Sequence, residues 1–147
     1  MFGTLLFLHL TGLIIWLGAL FAIVVMLFML RKQLGSQEPN KMAKRIIRSF
    51  SMFAHPSAVI VLISGVIMII QMGMGSGKPI WLNVMEKGGG TIILLALILT
   101  GILGSKIKKR LSTAEQPQQV KLSGYLVSLS SMIVLALSVV LIVSLKI

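Results

Sequence analysis

The chain reads as an all-α integral membrane protein, a four-helix up-down bundle, and three observations predict this. Mean hydropathy over the 147 residues is +1.02, with 56% of them apolar. The apolar residues collect in runs at 4–30, 46–71, 80–105 and 122–145, each able to supply the ~20 residues that cross the hydrocarbon. Their connections are short, which makes consecutive spans antiparallel neighbours. Residues 1–147 therefore form a single transmembrane domain. The first run is too long for a signal peptide and lacks a basic leader and a small-residue cleavage site, so we expect it to be retained.

The formal net charge is +11 and is unevenly placed. Arg31, Lys32, Lys41, Lys44, Arg45 and Arg48 lie between the first two spans, and Lys106, Lys108, Lys109, Arg110 and Lys121 between the last two; Lys78 and Lys87 flank the middle connection. This is the positive-inside pattern, which puts both basic loops in the cytoplasm and the middle loop and both termini outside. The charge is thus mostly topological: it argues against a nucleic-acid partner and suits anionic lipid headgroups at the inner surface. The chain contains no cysteine, which excludes disulfides, thiol catalysis and thiolate metal sites.

Span one carries the residue around which the functional reading turns. A histidine inside a membrane span is costly unless partnered, and His9, Gly12, Trp16 and Ala19 share one helical face at spacings of three, four and three. Small residues on that face let a helix approach closely or leave room for a flat ligand, while an imidazole can ligate a metal through one nitrogen. The alternative is a His9 that hydrogen-bonds to headgroups or water near the surface.

After a turn containing Gly35, Ser36 and Pro39, residues 41–53 alternate basic and apolar side chains, an amphipathic lead-in expected to lie at the inner interface. Pro56 disfavours helical geometry at His55, so a kink or a fresh helix start is expected there. His55 reads as interfacial, at the end opposite His9, so the two histidines are not expected to share a metal. Ser64-Gly65 is a second small spot suited to close helix contact.

The middle loop is glycine-rich, and its Met72-x-Met74 pair is compatible with Cu(I), which favours thioethers; methionine is equally a common apolar filler. Trp81 is placed as an interface anchor at the start of span three. Glu86 and Lys87 follow one to two turns in, where either meets His9 across the bundle or snorkels to the surface. Gly88, Gly89 and Gly90 come next, and three glycines inside a helix cost roughly 1 kcal/mol each, which asks for a close crossing, a break, or space for a planar group. In span four, Gly124, Ser128, Ser131 and Ser138 form a small-residue stripe expected to pack on a neighbouring helix. Tyr125 reads as an interface anchor.

The run His9-x-x-Gly12-x-x-x-Trp16-x-Gly18 resembles the first helix of a superfamily of small membrane proteins that includes the copper-resistance D family and the HemJ-like membrane protoporphyrinogen oxidases. Pro56 followed by Ser64-Gly65, and Trp81 leading into a span with a lysine, add to the resemblance, which covers three spans. It implies a bundle that carries a b-type haem, with the functional first-helix histidine and third-helix lysine falling to His9 and Lys87. We expect a multi-pass protein of a bacterial plasma membrane.

Three functions follow as expectations. The first is a haem- or porphyrin-handling redox protein, with His9 as axial ligand, Gly12 and the glycine run making room, Trp16 bordering the ring and Lys87 or a methionine as a further ligand. The second is copper handling, with Met72 and Met74 capturing the ion and His9 with Glu86 receiving it. The third is a non-catalytic partner subunit, in a homo-oligomer or a membrane complex, that packs through the span-four serines.

Overall fold

The computed structural model describes residues 2–34, 36–73, 77, 79–113 and 122–145. Among the described residues, four stretches are long and apolar enough to cross a membrane: Phe2–Leu30, Gln37–Met72, Ile80–Ser112 and Ser123–Leu145. The first two and the last are uninterrupted helices, here α1 (Phe2–Leu30), α2 (Gln37–Met72) and α5 (Ser123–Leu145); the third consists of a short α3 (Ile80–Asn83), a π-helical turn (Val84–Gly89) and α4 (Gly90–Thr113). The expected multi-pass, all-helical architecture is therefore observed.

Helix α1 lies along α2 for most of its length and also touches α5, while α4 packs on α2 and α5, so α1 and α4 sit diagonally across the bundle. The tight α1–α2 pairing has a local cause. At Gly12 a Cβ would stand 2.9 Å from Val61 Cγ2 and 3.2 Å from the Ser57 carbonyl oxygen. Only glycine admits this crossing, so Gly12 makes room for α2. Trp16, Leu20, Ile23 and Leu27 continue the buried face of α1 inward against Ile47, Ala58 and Val61.

Several expectations are corrected. Helix α2 continues through His55 and Pro56, so no fresh helix starts there. Two side-chain donors flank the proline: His55 Nδ1–H donates to the Ser51 carbonyl at 2.7 Å, and Ser57 Oγ–H to the Phe53 carbonyl at 2.7 Å. Such side-chain bonds let a membrane helix tolerate proline. The amphipathic lead-in is the first part of the same helix, and instead of lying flat it buries Ala43, Ile46 and Ile47 in the bundle. With 36 residues, α2 is about 54 Å long and projects beyond the hydrocarbon.

The stripe on α5 faces outward: Gly124, Ser131 and Ser138 are exposed, and nothing lies within 4 Å of a Cβ built at Gly124. Ser128 and Ser138 instead donate to carbonyls of their own helix. The packing face of α5 is Tyr125, Leu126, Leu129 and Ala136. Tyr125 is therefore a core residue at 3% exposure rather than an interface anchor.

Candidate functional site

The site begins with the register of α1 on α2. Once Gly12 has drawn the helices together, His9, one turn toward the start of α1, meets α2 at Val61, Ser64 and Gly65. Its Nδ1 lies 3.0 Å from the Val61 carbonyl oxygen and 3.1 Å from Ser64 Oγ. A carbonyl oxygen only accepts, so Nδ1 carries the proton and donates. Ser64 gives its own hydroxyl proton to the Ile60 carbonyl at 2.6 Å, which leaves its oxygen to accept from Nδ1–H. With Nδ1 protonated, the lone pair of the neutral ring is on Nε2, the nitrogen able to bind a metal.

Gly65 is the second requirement. A Cβ at this position would stand 3.2 Å from His9 Cε1 and 3.5 Å from Nδ1, so a side chain would press on the imidazole. Gly65 and Ser64 thus form a seat for the ring on α2: the glycine supplies the space and the serine a second acceptor.

His9 is half-buried in the wall of a cavity of about 360 Å³, within the range of small-molecule and cofactor sites. Leu6 to Trp16 line it over about 15 Å along α1. Trp16, Ile93 and Ala136, all buried, are its deep end, whereas Leu6, Leu10, Val66 and Ser144 are also exposed at the bundle surface, so the cavity is open there. Its walls are apolar apart from His9, Glu86 and Ser144, and they include the thioethers of Met68 and Met85.

Glu86 and Lys87, both in the π-helical turn, divide between the cavity and the surface. Such turns insert an extra residue into a helix and recur at functional sites. Here Glu86 is half-buried and lines the cavity with His9, while Lys87 is exposed and lies outside the lining. Gly89 and Gly90 line the cavity directly, and a Cβ at Gly90 would meet nothing within 4 Å. The glycine run leaves space next to the cavity, one of the three uses expected of it, and carries the π-turn, which the sequence reading did not foresee.

Of the residues singled out from sequence, the structure brings together His9, Trp16 and Glu86 and leaves Gly12 and Lys87 outside the cavity. Met72 ends α2 and Met74 lies outside the described residues. Among the described residues no three His, Cys, Asp or Glu side chains form a metal-ligating group. His55 sits nine residues from Ser64 along α2, about 14 Å; it is half-buried, with Nε2 facing Gly101 of α4. Val61, Met68 and Met85 were missed: a backbone acceptor leaves no trace in residue type, and methionine in an apolar run looks like filler.

No family model, curated protein or solved structure matches this chain. Fold and site define the class of a multi-pass helical membrane protein with a histidine-bearing cavity inside its bundle.

Proposed function

We propose that the cavity holds a flat, largely apolar cofactor ligated by His9, and that a b-type haem or related metalloporphyrin fits it best. The observation that carries this reading is the Nδ1–H donation from His9 to the Val61 carbonyl. A backbone carbonyl behind an imidazole is the usual support of a metal-binding histidine, fixing tautomer and ring orientation and raising the basicity of Nε2. The donor set agrees with a haem: one imidazole, two thioethers among the lining residues, and apolar walls ending on Trp16. When bound, haem supplies one-electron redox chemistry. The protein positions the ring through Val61, Ser64 and Gly65 and keeps bulk water out with the apolar side chains around it.

The test is an absorption spectrum of the purified full-length protein after expression with ample haem. Wild type gives a Soret band, His9→Ala loses it, and His9→Gly regains it on addition of imidazole. Absence of the band in wild type, or its persistence unchanged in His9→Ala, overturns the reading. Copper retained by wild type and lost on replacing Met72 and Met74 with leucine, without a Soret band, favours copper handling instead.

A further inference from the structure

At the basic end, the seam between α2 and α4 has a register set by two contacts. Lys44 Nζ donates to Ser112 Oγ at 2.7 Å, and the His55 ring faces Gly101, with Nε2 at 4.0 Å from a Cβ built there. The helices are antiparallel, so one turn along α2 from Lys44 and one turn back along α4 from Ser112 brings Arg48 and Lys108 to the same stretch of the seam. Residues four apart share a helix face, so Lys44, Arg48, Lys108 and Ser112 line the same seam. That stretch therefore carries three basic residues and one hydroxyl.

Their counter-ion does not come from the described residues around them. Glu38 is paired with Lys41 at 3.3 Å, Glu86 lies in the cavity wall at the opposite end, and the third acidic residue, Glu115, is outside the described residues. Like charges facing each other across a helix pair are destabilising, and an anion between them reverses the sign.

The depth of the seam identifies the anion's carrier. Helix α5 has 23 residues, about 35 Å, so its first turn marks where the chain leaves the hydrocarbon. Tyr125 in that turn reaches Gly104, which lies 3.6 Å from its hydroxyl when given a Cβ, one turn before Lys108. Arg48 and Lys108 are thus at headgroup level. One turn deeper on α2, Met52 and Phe53 are 72% and 60% exposed, an apolar surface for acyl chains directly beneath the cations.

We propose that Arg48 and Lys108, with Lys44 beside them, bind the phosphate of an anionic phospholipid whose acyl chains run over Met52 and Phe53. Arginine offers phosphate a two-pronged donor and lysine a point charge.

Native mass spectrometry of the full-length protein in detergent, titrated with phosphatidylglycerol or phosphatidylcholine, tests this. Phosphatidylglycerol binds at least tenfold more tightly, and Arg48→Gln/Lys108→Gln lowers its affinity by roughly 25-fold, about fivefold for each basic residue removed. Arg31→Gln/Lys32→Gln removes the same charge elsewhere and keeps the preference. Lys108→Glu pairs with Arg48, retains the fold in phosphatidylcholine and loses the preference. Equal affinity for the two lipids, equal losses in the two double variants, a preference surviving in Lys108→Glu, or full competition by millimolar inorganic phosphate overturns the proposal.

Discussion

At the end of the bundle that carries His9, a polar ring has two acceptors and the space beside it is open; toward the basic end, the buried Tyr125 hydroxyl has no hydrogen-bond partner among the described residues and the helices close around it. The contrast follows from where small residues fall. Gly12 and Gly65 bring α1 and α2 together and seat the imidazole, while the π-turn and Gly90 leave the third span short of side chains on the cavity side. Around Tyr125, Gly104 and Ile47 fill the contact and offer the hydroxyl nothing to bond. In this molecule an imidazole whose Nδ1 is served and whose Nε2 is left open borders a cavity, whereas the Tyr125 hydroxyl is packed shut.

Three substitutions sharpen this contrast. Trp16→Ala removes the deep wall of the cavity, a side chain 2% exposed; loss of so large a buried group costs about 3–5 kcal/mol, read as a fall in thermal unfolding temperature in detergent. A change no larger than that of a surface substitution would show that the cavity end contributes little to the fold. Tyr125→Phe runs the other way. Deleting a buried hydroxyl that lacks a partner relieves a penalty of about 1–3 kcal/mol, so the variant unfolds at a higher temperature than wild type, and a clear loss of stability would reveal a partner for the hydroxyl. The smallest effect is expected for Ser131→Leu. Its side chain is exposed and away from both ends, so stability stays within about 0.5 kcal/mol. A change in oligomeric state by size-exclusion chromatography would instead mark the α5 stripe as a surface used between chains.

The spans were legible because crossing a membrane imposes a one-dimensional rule: enough consecutive apolar residues, with charges collected between them. The helix ends were not, since residues 37–45 and 106–113 are polar enough to read as loop or interface, yet their buried Ala43, Ile107 and Leu111 continue the bundle. His9 was legible as a site because an imidazole among apolar residues is conspicuous by type. The resemblance put Lys87 beside it, with a surface position as the alternative; in the π-turn Lys87 is exposed and Glu86 lines the cavity. Neither the rotation of that turn nor the acceptor role of Val61 is written in residue identity.

Composition and spacing alone determined that this is a helical protein with four stretches fit to cross a membrane, that its cations gather at one end, and that a histidine lies within the first apolar span. Tertiary structure alone decided which nitrogen of that histidine carries the proton, that Gly12 serves a helix crossing, and that α5 turns its serines outward. The physical reason is one of dimension: hydropathy is a property of each segment along the chain, whereas a hydrogen-bond acceptor, a cavity wall or a packed face is a property of two helices and the register between them.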